Sequence, residues 1–303
     1  MLARYRCLRV NKKITRVLGP QYVRSRGKIE IDLTYKCNLR CTSCNRSVSQ
    51  APENLGMSRA MIQDFIHESV LVGKQWRKIR LLGGEPTLHP EFFPILNDLL
   101  QYRNRHPDCV IEVVTNGYGT AVNAMLQQIP AGVVVENSAK ESSLQTSFSP
   151  FNLAPVDDPA FRNADYRNGC EVMKACGMAL TPLGYYPCAV AGGIDRIEGN
   201  RLGRAHLPRD EDDMTSMVER LCRLCGHFKE GNLIPEPIRP AGLQEQISPT
   251  WKSLYARWRN KRKLSKRRGV TKLTDYQLRF VTSQTSHPQG NDQPNINRES
   301  VKA

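Results

Sequence analysis

Cys37, Cys41 and Cys44 place three thiols within eight residues, at C-x3-C-x2-C spacing, in the stretch KCNLRCTSCNRS. Three thiolates are one short of the tetrahedral closure a structural metal requires, and the next cysteine is Cys109. Structural zinc prefers C-x2-C knuckles and finds no nearby histidine to complete it. A dry core of free cysteines sits badly among Lys36, Asn38, Arg40 and Asn45. A four-iron cluster held by three protein thiolates leaves one iron open to an outside ligand, which is what catalytic use requires. That third reading carries most of the weight.

Cys176, Cys188, Cys222 and Cys225 form a second constellation, with Cys170 as a fifth member. The CRLC knuckle brings two thiolates together on one tight turn, and zinc or an iron–sulfur cluster are its two readings. Beside the first set, iron–sulfur is favoured. Cys176, adjacent to Gly177, is preferred over Cys170 as the ligand that opens the site. The other thiol is left to a structural role, or to hydrogen donation if it faces the cavity.

The elements that must position these groups follow a repeating pattern. KIEIDLT (28–34) alternates as a strand and runs into the first cysteines. A helix is expected over 58–73, capped by Ser58. A strand over 78–86 ends in Gly83-Gly84-Glu85-Pro86, and a helix over 91–105 tolerates Pro94 only in its first turn. A strand over 109–117 ends in Thr115-Asn116-Gly117. A short helix over 121–130 leads to a strand over 132–139 that carries Glu136, Asn137 and Ser138. Strand and helix alternating at this spacing mean parallel βα units, whose active sites gather at the carboxyl ends of the strands. Each of these four strands ends in polar chemistry.

The 303 residues are enough for one large or two modest cores, and carry a formal charge of +15. Nine lysines and arginines fall between Lys252 and Arg268, on a helix whose apolar face is Trp251, Leu254, Tyr255 and Trp258. As a patch it would attract a phosphorylated substrate, tRNA or anionic lipid; as a packed terminal helix it only solvates one face, the favoured reading. The basic N-terminus has scattered apolar residues and does not read as a secretory signal, and no run is long enough to span a bilayer. A cytoplasmic location is expected, where ten cysteines remain thiols.

The chain resembles the radical S-adenosylmethionine (SAM) enzymes over approximately residues 28–140, on Cys37, Cys41 and Cys44 followed by LLGGEPTLHP. The resemblance implies an α/β fold, a partial and truncated (β/α)6-type barrel. It also implies a [4Fe–4S] cluster on those three cysteines, with SAM chelating the fourth iron. Reduction would cleave SAM to a 5′-deoxyadenosyl radical that abstracts hydrogen from substrate. Gly83, Gly84 and Glu85 would lie near the SAM ammonium, Thr115 and Asn116 near the ribose, and Glu136, Asn137, Ser138 and Lys140 near ribose, carboxylate or substrate. One departure stands out: Ser43 occupies the position before the third cysteine, where relatives often place an apolar or aromatic residue against adenine.

The later cysteines resemble a short SPASM/twitch-like auxiliary domain, a small β-hairpin and helix module holding one iron–sulfur cluster, of [4Fe–4S] type. The implied domains are an N-terminal extension (1–27), the catalytic core (28–165), the auxiliary domain (166–235), a C-terminal extension with the basic helix (236–282) and a disordered tail (283–303). The 36 residues before Cys37 leave no room for a leader-recognition domain. A small substrate is therefore favoured: a sugar, cyclitol, nucleoside or nucleotide-sugar, with or without phosphate. The reaction would be oxidation, epimerisation or carbon–carbon bond formation, with flavodoxin or ferredoxin as reductant. The alternatives are maturation of a precursor peptide presented by a separate recognition protein, and an iron–sulfur electron carrier or nucleic-acid-binding protein without SAM turnover.

Overall fold

The computed structural model describes residues 2–145, 149–230 and 245–267. The chain runs α1 (Leu2–Arg9), α2 (Lys12–Leu18), β1 (Lys28–Thr34), β2 (Arg40–Cys41), α3 (Arg59–Leu71), β3 (Lys78–Gly83) and α4 (Phe92–Arg105). It continues with β4 (Val110–Thr115), α5 (Thr120–Leu126), β5 (Val134–Asn137), β6 (Leu144–Gln145), α6 (Glu171–Ala175), β7 (Met178–Thr181) and β8 (Gly184–Tyr186). The last elements are α7 (Ala189–Glu198), α8 (Thr215–Cys222), α9 (His227–Glu230) and α10 (Pro249–Arg267). Residues up to Lys263 form one compact unit; of a second, Leu264–Ala303, only the last turn of α10 is described. The expected disordered tail (283–303), and residues 236–244 and 268–282 of the expected C-terminal extension, lie outside the described residues.

Six strands form the main sheet in the order β5-β4-β3-β1-β7-β8. All neighbours are parallel except β7 and β8, which close the sheet as an antiparallel hairpin. This is the α/β architecture of parallel units that the alternation predicts, and it is consistent with the partial barrel that the resemblance implies. Ile29, Ile31 and Leu33 of β1, Ile79 and Leu81 of β3, and Ile111 and Val113 of β4 are fully buried at alternate positions. Ile62 and Phe65 of α3 and Ile95, Leu96 and Leu99 of α4 belong to the same apolar cluster. Ser58 caps α3 by accepting from the Met61 N–H, and Pro94 falls in the first turn of α4, where its missing donor costs nothing.

Two differences from the sequence expectations concern the auxiliary region. The hairpin between Cys176 and Cys188 is present, but it is not a separate layer: β7 pairs with β1 (Ile29 with Met178, Ile31 with Leu180) and extends the catalytic sheet. One sheet therefore runs across the expected boundary between 165 and 166. Residues 189–198, where the sequence pattern marks no helix, form α7, whose Gly192 and Gly193 let it press on Tyr186 and on the Arg46 backbone. Among the described residues, no helix is long and apolar enough to cross a membrane.

Candidate functional site

The chain leaves β1 at Thr34 and turns through Cys37, Cys41 and Cys44, which pack together with Tyr35, Val48 and Leu55. None is disulfide-bonded. Cys41 is held by the short pairing of β2 with β6 and by the Arg40 N–H, which donates to the Ser143 carbonyl at 2.7 Å. The Leu39 N–H points at the Cys37 sulfur at 3.4 Å, and the Asn116 amide lies 3.8 Å from it. Burial pushes the Cys37 thiol up to about 11, and burial followed by the proximity of Cys44 and Cys37 pushes Cys41 up to about 12. Burial likewise raises Cys44.

Among the described residues, no three Cys, His, Asp or Glu side chains close on a single-ion site. A four-iron cluster sets each thiolate on a different iron, so its ligands stand further apart than those of one ion. Three free, converging thiols with amide donors aimed at one sulfur suit the donor chemistry of such a cluster.

The glycines after β3 serve this loop directly. The Gly84 N–H donates to the Thr34 carbonyl at 2.6 Å and the Glu85 N–H to Lys36 at 2.9 Å, carrying the β1–β3 ladder into the cysteine loop. Gly83 sits at φ 131°, and a Cβ on either glycine would overlap backbone, at Thr34 for Gly83 and at Lys36 for Gly84. The turn thus grips the cysteine loop, with its backbone against Cys37.

Glu85 is fully buried and its carboxylate is taken up by the chain itself. Oε1 accepts from the hydroxyls of Thr87 (2.8 Å) and Thr115 (2.9 Å) and from the Thr87 N–H, while Oε2 accepts from the Asn116 N–H at 2.8 Å. It ties the end of β3 to the end of β4. The carboxylate expected near an ammonium group thus already accepts four internal hydrogen bonds. Thr115 is buried behind it, whereas the Asn116 amide reaches over Asn38 (2.8 Å) beside Cys37.

Beyond β5, Ser138 bonds the Thr115 carbonyl through its hydroxyl at 2.9 Å, and Asn137 accepts from the Ala139 N–H at 2.8 Å. The Lys140 N–H bonds the Asn116 carbonyl at 2.8 Å. Glu136 points elsewhere, to an ion pair with Arg80. It belongs to a charged layer along the sheet: Arg46 pairs with Glu30 (2.8 Å) and Asp32 (3.3 Å), Arg80 with Glu30 (2.6 Å) and Glu112 (2.5 Å), and Lys78 with Glu112 (2.6 Å). Glu30, Asp32, Lys78, Arg80 and Glu112 alternate with the buried apolar positions of β1, β3 and β4, so the sheet face opposite its apolar face is polar there. The sequence marked only Glu136; Glu30, Asp32, Arg80 and Glu112 were legible as the polar half of each strand's alternation, but their pairing was not.

The second set of thiols sorts differently from the sequence preference. Burial raises Cys222 and Cys225, and the next influences on both are Cys170 and then Cys188. Cys188 in turn feels Cys170 most among its neighbours. All four are buried in one core with Phe228. Cys176 is only partly buried; burial pushes it up to about 12, and Glu30, Arg80 and Arg46 of the charged layer are its next influences. Cys170 thus groups with Cys188, Cys222 and Cys225 in the buried core, whereas Cys176, the preferred ligand from sequence, packs at its edge and also influences Cys188. Cys170 precedes α6 and Cys176 follows its last residue.

Three residues that the sequence did not tie to the cysteine loop hold it from outside. Arg196 of α7 donates to the carbonyls of Arg46 and Ala51 at 2.8 Å, Tyr255 of α10 bonds the Ser47 hydroxyl at 2.9 Å, and Glu245 accepts from the Ser43 N–H at 2.8 Å. Ser43 and Ser47 both have φ near 50°, a conformation that costs roughly 1–2 kcal/mol for a residue with a Cβ. Ser43 is itself buried.

Residues 31–133 match the Radical SAM superfamily. GTP 3′,8-cyclase of Paenarthrobacter nicotinovorans is 30% identical over 151 residues, covering 49% of this chain and 41% of that protein. GTP 3′,8-cyclase of Microcystis aeruginosa is 31% identical over 98 residues, covering 30% and 27%. Molybdenum cofactor biosynthesis protein 1 of Homo sapiens is 30% identical over 197 residues, covering 60% of this chain and 26% of that protein. The chain thus spans less than half the length of these curated relatives. Among solved structures, BtrN in complex with AdoMet and 2-DOIA aligns at a TM-score of 0.39 and 16% identity, over 68% of this chain and 94% of that one.

Proposed function

We propose that this protein is a radical SAM enzyme acting on a small polar substrate, with Cys37, Cys41 and Cys44 as the ligands of a [4Fe–4S] cluster whose fourth iron takes SAM. When bound and reduced, the cluster supplies the electron that cleaves SAM to methionine and a 5′-deoxyadenosyl radical, which removes hydrogen from a substrate carbon. The observation that carries this reading is the interlock of the three-thiol loop with the Gly83-Gly84-Glu85 turn at neighbouring strand ends, inside the matched domain. Asn116, Ser138, Lys140 and the backbone of Gly83 and Gly84 are the groups around the loop that would orient SAM. Glu85 and Thr115 hold those groups in place from behind.

Cys170, Cys188, Cys222 and Cys225 would hold one auxiliary iron–sulfur cluster of the SPASM/twitch-like kind. Four thiolates leave it no vacancy for substrate and suit it to passing an electron. The relatives' names favour a nucleoside or nucleotide within the range of sugar, cyclitol, nucleoside and nucleotide-sugar substrates. A flavodoxin or ferredoxin would supply the electron. Reconstituted wild type should form 5′-deoxyadenosine from SAM under reducing conditions. Changing Cys37, Cys41 and Cys44 to Ala should abolish this and leave the auxiliary iron bound. 5′-Deoxyadenosine from the triple variant would defeat the proposal.

A further inference from the structure

The peptide that joins two of the three cysteines is bonded to a carboxylate from far along the chain. Ser43 lies between Cys41 and Cys44, and its N–H donates to Glu245 Oε1 at 2.8 Å. The same carboxylate accepts from Gln50 at 3.0 Å through both oxygens and from Asn152 at 2.6 Å. Gln50 also donates to the Cys41 carbonyl at 3.2 Å, so the loop is gripped on both sides of Ser43. All of these donors are neutral, and among the described residues no lysine or arginine pairs with Glu245. The nearby Arg46 and Arg196 are matched instead by Glu30, Asp32 and Glu53. The anchor is well founded: Ser248 bonds Asn152 and Ala154, and Trp251 is buried against Phe151 and bonds the Leu224 carbonyl at 2.6 Å.

We infer that Glu245 is a positioning residue that lowers the reduction potential of the cluster held by Cys37, Cys41 and Cys44. This rests on the cluster assignment proposed above. Two effects act in the same direction. An anion held by neutral donors beside the loop opposes the arrival of an electron. A Ser43 N–H committed to Glu245 is also withheld from the cluster sulfurs, and hydrogen bonds to those sulfurs favour the reduced state. A segment beyond the matched domain would thereby set how strong a reductant the enzyme needs.

The test is an anaerobic redox titration of the reconstituted full-length protein, following the electron paramagnetic resonance signal that changes on adding SAM. At a potential fixed near the wild-type midpoint, Glu245→Gln should raise the ratio of reduced to oxidised cluster about tenfold, which is about 59 mV for one electron. Glu245→Asp should return the ratio toward wild type. Asn152→Ala removes a donor and leaves the anion, so it should lower the ratio; mere loosening of the loop would move both variants the same way. Ratios within about twofold of wild type in both Glu245→Gln and Asn152→Ala, or equal-signed shifts, would overturn the inference while leaving the cluster assignment intact. If Glu245→Gln does not accumulate, the sign of the Asn152→Ala shift decides alone. A wild-type protein whose iron signal ignores SAM would overturn the assignment and this inference with it.

Discussion

Replacing Glu85 with Gln exchanges one oxygen for an amide nitrogen on a side chain that is fully buried and surrounded by four donors. The new amide can turn its oxygen to the Thr87 and Thr115 side or to the Asn116 side, but not to both. With the oxygen on the threonines, the Asn116 N–H is left facing another donor, and a buried donor without a partner costs about 1–3 kcal/mol. The remaining bonds lose their charge assistance, falling from about 1.5–3 to about 1 kcal/mol each, while the removed charge returns part of this in desolvation. A net loss on the order of 3 kcal/mol follows, a large share of the ~5–15 kcal/mol that holds a domain folded. Urea unfolding of the metal-free protein, followed by far-UV circular dichroism and by the fluorescence of buried Trp76 and Trp251, should show it as a lower midpoint at unchanged slope. A variant that unfolds within about 0.5 kcal/mol of wild type, yet binds SAM tenfold more weakly, would refute the reasoning. Glu85 would then be a ligand contact rather than a brace between β3 and β4.

Further outcomes are expected elsewhere. Gly84→Ala should let the sheet fold but displace the cysteine loop from β3, so that iron bound at Cys37, Cys41 and Cys44 falls while auxiliary iron stays, as measured by iron and sulfide content. Cys170→Ala should remove the auxiliary iron and Cys176→Ala should keep it; the opposite result would restore Cys176 as the ligand. Arg59→Met removes the paired 2.7 Å bonds that, with the hydrogen bonding from Arg59 as the main cause, hold the Asp98 carboxyl below its ordinary value. That pair contributes stability above pH ~3.9 that is lost as pH falls through the lower folded value. The variant should therefore be less stable at neutral pH and lose the difference in acid; an equal deficit at all pH values would show that packing, not charge, is involved.

Local pattern determined much of this protein. The apolar alternation of 28–34, 78–83 and 110–115 and the caps of the intervening helices specify parallel βα units on their own. Because such units end their strands on one side, the cysteines, the Gly83-Gly84-Glu85 turn and Thr115-Asn116 had to gather. What the linear order could not determine was how groups distant in the chain share partners. Glu85 reads from sequence as an acid near a bound ammonium, and only the packing of β4 beside β3 surrounds it with donors. Cys170 and Cys176 are separated by five residues, and only the folded chain groups one with the buried thiols and leaves the other at their edge. Glu245 carries no local signal at all, since its meaning lies in a bond across 202 residues to Ser43. Periodicity records which face a residue turns toward the core; which partner waits there is decided when the elements close.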